Sequence, residues 1–271
     1  VYVLNDGTEV DMDFGHYERF IGTQGENKWN ITSGKLFSRL IEKERRGDFL
    51  GKTIQIIPHA VNEIIEWWME LKKKHNPDYM LIEIGGTVGD IEGLPFLEAA
   101  RQMRIEEGFE NTMFVHVALV PVLTTTGEQK TKPVQHSVQE LRRIGIQPDA
   151  IVARSVNRLT EESRRKIALY SSLPVEAVFS NPDLETVYDV PLYLEEEGLG
   201  RYVVRRLGLE DRSADLSAWR DFVTRFKTAS RKVIIGMVGK NRKESMVKNA
   251  VFVSIFSLFV WLLMWIFIFF P

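Results

Sequence analysis

The stretch Tyr79–Ala100, YMLIEIGGTVGDIEGLPFLEAA, decides the fold that the sequence predicts. It opens with the apolar run Met80–Ile84, which is typical of a strand buried on both faces of a parallel sheet. Glu83 interrupts the run, and a buried carboxylate is costly unless it meets a cation, a metal ion or strong donors. The stretch continues into a glycine-rich acidic loop, and open α/β sheets bind ligands at the carboxyl ends of their strands. We therefore expect a functional site here, with an ordinary turn as the alternative.

Strands and amphipathic helices alternate along the rest of the chain. Apolar residues at helical spacing predict helices, whereas short β-branched or continuous apolar runs predict strands. Because the two kinds of segment alternate, the expected fold is α/β with a doubly wound, mostly parallel sheet. The predicted strands are 1–4, 53–58, 80–84, 113–123, 150–153 and 177–180, and the predicted helices are 31–50, 61–74, 95–108, 134–144, 161–173, 191–207 and 216–226.

The segment Glu9–Phe20, EVDMDFGHYERF, places several titratable side chains around Gly15. Its alternation of acidic and apolar residues predicts a strand end that presents carboxylates to one side. Asp13 is a candidate magnesium ligand, since Mg²⁺ prefers a few carboxylates together with phosphate oxygens. A solvated loop explains the same residues equally well, and His16 alone is a weaker signal.

Two lysines, Lys130 and Lys132, flank Thr131 just before the predicted helix 134–144. Cations beside a helix N-terminus at the carboxyl end of a strand make a good phosphate-binding site. A flexible basic loop is the alternative. Lys166 lies on the predicted helix 161–173, where a surface lysine is the default interpretation.

Composition excludes some classes of function. The 271 residues carry a net charge of -2, so no nucleic-acid partner is expected. The chain has no cysteine, which excludes disulfides, thiolate catalysis and Cys-ligated zinc and is compatible with a cytoplasmic body. The segment Val251–Phe270 carries no charge over about 20 residues, which is long enough to cross a bilayer. The basic residues before it would keep the folded body on the cytoplasmic side of a tail-anchored protein.

Several longer motifs resemble one family. They are GHYERF (15–20), KERRGDFLG (43–51), IQIIPH (54–59), EIGGTVGDIEGLPFLEA (83–99), GEQKTKPVQHSVQELRRIGIQPD (127–149) and KIAL (166–169). Together they resemble the amidoligase (synthetase) domain of CTP synthases, a P-loop NTPase-like domain. The resemblance implies a ligase of pyrimidine nucleotide biosynthesis, in which ATP phosphorylates the uracil 4-oxygen of UTP and ammonia displaces the phosphate to give CTP.

The resemblance also implies roles for individual residues. Asp13 and Glu83 match the family's magnesium carboxylates, and Asp13, Asp183 and Leu184 fall where the family binds ATP. His16 matches a histidine near the ammonia entry, and His16 and Lys130 are taken as catalytic.

The same resemblance implies a pyrimidine-nucleotide site shared by UTP and by CTP as feedback inhibitor. Its lysines would hold the triphosphate, and in the family it is built across the subunits of a homotetramer, so a homotetramer is implied here. The matching residues are Asp90, Ile91, Glu92, Lys130, Thr131, Lys132, Pro133, Val134, Gln135 and Lys166.

The sequence also departs from the family pattern. No G-x-x-x-x-G-K-[ST] phosphate-binding loop occurs in it, and GMVGK at 236–240 lacks the spacing. Of the family's glutamine amidotransferase domain, the usual source of ammonia, the sequence contains only the segment 232–240, which resembles the first strand. We therefore expect this chain alone to be poorly stable or catalytically inactive.

The predicted organisation has four parts. These are an incomplete synthetase domain (1–210), a linker helix region (211–231), the start of a glutaminase-domain strand (232–240) and a transmembrane tail that forms an apolar helix (241–271). The tail has three explanations: a truncated and shifted reading frame, a membrane-anchored variant or a fusion.

Two other functions are weighed against an active ligase. One is an inactive homologue that binds UTP or CTP, or that joins intact subunits at a membrane. The other is a different amidoligase such as dethiobiotin synthetase, which is disfavoured because IGGTVGDIE and KTKPVQH match CTP synthases.

Overall fold

A computed structural model of the chain describes residues 1–210 and 214–231 and the backbone of 265–269. The described chain divides into two compact units. The first comprises residues 1–80 and 94–106, and the second comprises residues 81–93 and the described residues from 107 onward.

A small antiparallel hairpin opens the first unit. Its strands are β1 (Tyr2–Val3) and β2 (Glu9–Val10). The sequence Asn5-Asp6-Gly7 predicts a tight turn, and the structure has it there. Gly7 N donates to Leu4 O at 2.9 Å, and Gly7 has φ +82°, a conformation that glycine adopts without steric penalty. Helix α1 (Asp13–Ile21) follows and packs on β1.

Two longer helices form the body of the first unit. The sequence offers Thr32 or Ser33 as the cap of helix α2 (Ser33–Arg46). Thr32 is the cap, since its hydroxyl accepts a hydrogen bond from Lys35 N at 3.3 Å. Helix α3 (Val61–His75) packs on α2, and α4 (Leu94–Glu107) comes later in the chain.

Glu63 of α3 joins the two longer helices. Its side chain is 2% exposed and pairs with Arg39 Nε at 2.6 Å and with Lys43 Nζ at 2.5 Å, both on α2. Removing either cation would leave a buried charge short of a partner, which is strongly destabilising. The ion pairs therefore fix the register of α2 on α3.

The second unit is built on one sheet with strand order β3-β7-β4-β5-β6. Strands β4, β5 and β6 are parallel to one another, whereas β7 runs antiparallel to β4. The strands are β3 (Met80–Ile84), β4 (Thr112–Leu119), β5 (Ala150–Ser155), β6 (Val178–Pro182) and β7 (Trp265–Phe269).

Helices cover both faces of the three parallel strands. On one face, α5 (Lys132–Ile144) and α6 (Glu161–Ser171) contribute apolar side chains to a buried cluster with the strands. On the other face, α7 (Val190–Glu196) and α8 (Leu199–Arg206) pack around Phe179 of β6. The expected α/β fold with parallel strands is confirmed for β4, β5 and β6. The two helices that connect these strands, α5 and α6, both lie on one face, so the described strands do not show the double winding. A further helix, α9 (Ser217–Thr228), follows α8 in sequence.

Two predictions for the first unit are wrong. The segment 9–20 does not continue as a strand, because β2 stops at Val10 and Asp13 begins α1, so that Asp13 and His16 are helical. Phe14, Tyr17 and Ile21 have helical spacing, and this pattern outweighs the acidic–apolar alternation before it.

The predicted strand at 53–58 is also absent from the described chain. Gln55 N donates to His59 Nδ1 at 2.9 Å, and the chain turns into a short helical segment at Ile56–Ala60. Pro58 has no N–H to donate to a strand ladder, which disfavours sheet pairing at this point.

The predicted apolar tail helix is wrong where the structure describes it. Residues Trp265–Phe269 form the strand β7, and a continuous apolar run suits a buried strand as well as a helix. The rest of 241–271 and the predicted glutaminase-domain strand 232–240 lie outside the described residues. Within the described residues, no helix combines the length and the apolar character needed to cross a membrane.

Candidate functional site

The loops that follow β4, β5 and β6 lie at one edge of the sheet, because these strands are parallel. They span residues 120–131, 156–160 and 183–189. Parallel α/β sheets bind ligands at this edge. The loops and the helices that follow them contain most of the residues predicted to bind nucleotides.

The loop after β4 holds Lys130 beside Glu128. The loop folds back on itself, with Leu123 N donating to Glu128 O at 3.0 Å and Lys130 N donating to Pro121 O at 2.7 Å. Lys130 Nζ lies 2.7 Å from Glu128 Oε2. This hydrogen bond and the positive charge of Lys130 lower the pKa of the Glu128 carboxyl, and the charge of Lys166 lowers that pKa further. Both lysines therefore stabilise the ionised carboxylate of Glu128, although one belongs to the loop after β4 and the other to α6.

The N-terminus of α5 carries the other predicted phosphate contacts. Lys132 and Pro133 are exposed, and Val134 is buried in the core. Thr131 is buried and accepts a hydrogen bond from Gln135 Nε2 at 3.1 Å, while its side chain does not cap the helix. The exposed lysine thus lies at the end of a helix where backbone N–H groups and the helix dipole favour an anion.

Gln129 links this loop to α6, the helix that exposes Lys166. Its side-chain carbonyl accepts a hydrogen bond from Thr160 N at 3.0 Å, and its amide donates to Arg158 O at 2.9 Å. The Thr160 hydroxyl accepts a hydrogen bond from Ser163 N at 3.1 Å and caps α6. Gln129 is absent from the predicted site residues, because the contact depends on tertiary structure.

Asp183 and Leu184 directly follow β6 and are half-buried. The Asp183 carboxylate pairs with the Arg154 guanidinium of β5. Arg154 also donates to Asn181 O at 3.1 Å and to Ser155 O at 2.8 Å. Arg154 is a site residue that the sequence prediction missed, although a charged residue at the end of a buried strand is the same signal that singled out Glu83.

The loop after β3 presents Asp90, Ile91 and Glu92 to solvent, and Ile91 is 82% exposed. Asp90 Oδ2 accepts a hydrogen bond from Thr87 N at 3.2 Å, which closes the loop. Gly86 has φ +94°, so this turn requires a residue that tolerates the left-handed region.

Glu83 lies in β3 and is half-buried, directly before this loop. A Cβ atom added to Gly85 would lie 3.3 Å from Glu83 Oε1. The absence of a side chain at Gly85 therefore leaves room for the Glu83 carboxylate.

Asp13 and His16 belong to the first unit, whereas the other predicted site residues belong to the second. Asp13 is buried in the first turn of α1. Burial lowers the pKa of His16, and the nearby charge of Arg19 lowers it further. The imidazole is therefore neutral at pH 7.

The predicted magnesium carboxylates have suitable chemistry but do not form a complete site by themselves. Asp13 and Glu83 supply carboxylate oxygens, the ligands that Mg²⁺ prefers. In the part of the chain that the structure describes, no cluster of three or more His, Cys, Asp or Glu side chains could hold a metal ion. Each carboxylate taken singly has the chemistry of a ligand to Mg²⁺ that arrives bound to a nucleotide.

Comparison with known proteins agrees with the sequence motifs. A family model described as the CTP synthase N-terminus matches residues 1–209. The chain is 58% identical over 243 residues to a CTP synthase of Aeropyrum pernix, covering 90% of this chain and 45% of that protein. It is 58% identical over 240 residues to a CTP synthase of Thermococcus gammatolerans, covering 89% of this chain and 45% of that protein.

A third relative shows similar coverage. A CTP synthase of Thermomicrobium roseum is 50% identical over 240 residues, which cover 89% of this chain and 44% of that protein. The chain thus spans a little less than half the length of the curated relatives it matches.

Proposed function

The chain belongs to the CTP synthase family, and from this we propose that it forms the nucleotide-binding part of a ligase that converts UTP to CTP. The proposed reaction consumes UTP, ATP and ammonia and yields CTP, ADP and phosphate. The observation that supports it best is the edge of the sheet, where Lys130 of the loop 127–135 and Lys166 of α6 both interact with the carboxylate of Glu128.

The lysine-rich part of this edge suits the triphosphate of UTP. Lys132 lies at the N-terminus of α5, and Lys130 and Lys166 share the neighbourhood of Glu128. Ammonium groups and helix N-termini both stabilise phosphate oxygens. On UTP binding, we expect Lys130 to exchange its carboxylate partner for the triphosphate. The exposed residues 90–92 and the segment 131–135 complete the proposed pyrimidine-nucleotide site, which CTP would share.

The loop after β6 suits the adenine of ATP. Asp183 and Leu184 are half-buried at the carboxyl edge. The ion pair between Asp183 and Arg154 fixes the first residue of this loop against β5. A fixed loop loses little conformational freedom when ATP binds, which favours affinity.

The chemistry has two steps. The γ-phosphoryl group of ATP is transferred to the uracil 4-oxygen, and ammonia then attacks carbon 4 and expels phosphate. Mg²⁺ held by Asp13 and Glu83 would neutralise charge on the ATP phosphates. We place His16 near the ammonia entry, where a neutral imidazole is able to accept a hydrogen bond from ammonia.

The assembly proposed for the active protein is a homotetramer that builds the pyrimidine-nucleotide site across subunits. Inhibition by CTP follows from the shared site, because CTP and UTP carry the same triphosphate. Ammonia is proposed to come from a glutaminase domain or from free ammonium.

Nucleotide binding tests the proposal first. We expect the full 271-residue chain to bind UTP with Mg²⁺ in calorimetry, and CTP to compete for the same site. Lys132→Met should weaken UTP binding about tenfold or more, since it removes a cation from a triphosphate. Lys52→Met, at an exposed lysine outside the proposed site, is the matched control. Binding of UTP that is unaffected by Lys132→Met would contradict the assigned site.

Turnover is the second test. Ammonium-dependent CTP formation is measured with the chain as it stands and with the chain joined to a family segment that contains the phosphate-binding loop. We expect CTP from the joined protein, since positioning of the phosphates is essential for phosphoryl transfer. Failure of both proteins to form CTP despite UTP and ATP binding would overturn the ligase assignment.

A further inference from the structure

Helix α9 packs on the end of the loop that follows β6. Trp219 Nε1 donates a hydrogen bond to Tyr188 O at 2.9 Å. The Tyr188 ring lies edge-on to three aromatic rings of α9, with centroid distances of 5.1 Å to Phe222, 5.1 Å to Phe226 and 6.2 Å to Trp219. One tyrosine of the loop is therefore held by both its backbone and its side chain.

A second contact ties the same loop to α9 by charge. Lys227 Nζ lies 2.8 Å from Asp189 Oδ2 and 3.1 Å from Glu185 Oε2. One lysine therefore bridges two carboxylates that are four positions apart in the loop. These exposed ion pairs are individually weak, but together with the Trp219 hydrogen bond they restrict the loop at several points.

The loop thus has two anchors. Its first residue, Asp183, is held by Arg154 of β5, and its later residues Glu185, Tyr188 and Asp189 are held by α9. Leu184 lies between the anchors. The residues held by α9 thus begin directly after the Asp183–Leu184 segment, although α9 is distant from the loop in sequence.

We propose that α9 positions the Asp183–Leu184 segment for ATP, with Trp219 and Lys227 as positioning residues. This inference rests on the proposed function, which assigns that segment to the adenine of ATP. The residues assigned to UTP lie on other elements, namely the loops after β3 and β4 and the helices α5 and α6. Variants that weaken the contacts between α9 and the loop should therefore weaken ATP binding selectively, whereas a general loss of protein stability would weaken the binding of both nucleotides.

The test measures ATP and UTP affinity separately, by calorimetry on the full chain with Mg²⁺. Trp219→Phe keeps an aromatic ring but removes the N–H donor, and Lys227→Met removes the bridging charge. Each should weaken ATP binding about fivefold, the effect expected for one ordinary hydrogen bond or a pair of exposed ion pairs, and leave UTP binding unchanged. Lys227→Arg should restore ATP binding, because a guanidinium can reach the same carboxylates.

The matched control is Arg225→Gln, which removes a positive charge from the same helix. Arg225 is exposed and its Nε donates to Asp221 O within α9 at 3.4 Å. If Trp219→Phe and Lys227→Met bind ATP as tightly as the unchanged chain, or lose ATP and UTP affinity equally, the inference is overturned. If the unchanged chain binds no ATP, the adenine assignment itself is overturned, and the inference with it.

Hydrogen exchange gives a readout that needs no nucleotide. In Trp219→Phe, the backbone amides of 183–189 should exchange faster than in the unchanged chain, whereas those of β5 should not change. Equal exchange in the loop of both proteins would show that α9 does not hold it, and this also overturns the inference.

Discussion

At the scale of single residues, Glu128 is the carboxylate that the proposed triphosphate must replace. It lies 2.7 Å from Lys130 Nζ, and its lowered pKa keeps it ionised at neutral pH. A negative charge beside the lysines opposes the approach of a triphosphate, yet it also holds Lys130 in place before the nucleotide arrives. The charge of Glu128 therefore has two opposing effects: it lowers the affinity for a triphosphate, and it orders the side chain of Lys130.

Glu128→Gln tests this balance. The change removes the competing charge, and we expect UTP to bind up to about fivefold more tightly, the range set by an exposed ion pair. Calorimetry with UTP at low and moderate salt measures the effect, which should shrink as salt increases. Glu110→Gln, at an exposed glutamate outside the site, serves as the control. Weaker UTP binding in Glu128→Gln would show that ordering of Lys130 dominates.

His116 gives a pH prediction at the same scale. It is buried in β4, and burial lowers its pKa from 6.5 to about 3. The unfolded chain takes up a proton near pH 6.5, whereas the folded chain does not until about pH 3. The free energy of unfolding is therefore not reduced by His116 above pH 6.5, and it decreases progressively as the pH falls from 6.5 toward 3.

His116→Gln should reduce this pH dependence. The difference in unfolding free energy between the unchanged chain and the variant should change by up to about 1.4 kcal/mol per pH unit in this window. Urea unfolding at several pH values measures it. Gln139→Ala, at an exposed residue of α5 that does not titrate, serves as the control. A slope in His116→Gln equal to that of the unchanged chain would exclude a neutral buried imidazole.

At the scale of elements, most of the fold could be predicted because local signals agree with packing. The apolar stripe and the Thr32 cap predict α2, and a continuous apolar run predicts β4. The failures arise where one pattern fits two structures. The alternation of acidic and apolar residues before α1 predicts a strand at Asp13, although Asp13 begins the helix. The all-apolar run that includes Trp265–Phe269 has no periodicity that distinguishes a helix from a strand.

The candidate site was predictable only in part, for a related reason. Motif residues such as Lys130 and Asp183 stand out by residue type and position. The ion pair between Asp183 and Arg154 does not follow from the sequence, because it depends on the register of β5 and β6. No sequence pattern pairs Glu128 with Lys130 either, although the two lie in one loop. Sequence patterns locate the edge of the sheet, whereas the pairing of charges along this edge depends on the three-dimensional arrangement of its loops and strands.

Strand β7 gives a prediction for an element. Because β7 lies between β3 and β4 in the sheet, its backbone N–H groups take part in hydrogen bonding with a strand on each side. Phe267→Pro removes one N–H and restricts the backbone, which a central strand does not tolerate. We expect a lower unfolding temperature and more aggregation than for Ser230→Pro, a change at an exposed residue outside any helix or strand. Equal unfolding temperatures for the two variants would contradict the pairing of β7 in the sheet.

At the scale of the whole molecule, each of the two units holds some of the residues assigned to the reaction. Asp13 and His16 lie in the first, and the lysines and the ATP loop lie in the second. The residues assigned to UTP all lie in the second unit, whereas the magnesium assignment draws on both units and the ammonia assignment on the first. Variants of the second unit should therefore alter nucleotide affinity, and variants of Asp13 should chiefly alter turnover.

The antiparallel pairing of β7 with β4 also sets an order of events during synthesis. Strands β4, β5 and β6 follow one another with one helix between each pair, so they can associate soon after they leave the ribosome. The strand that borders β4 on its other side is made much later, and at about 5–20 residues per second the delay lasts several seconds. During that interval the N–H and C=O groups along one edge of β4 have no partner from β7. A newly made chain is therefore most susceptible at this edge to strand pairing with another chain.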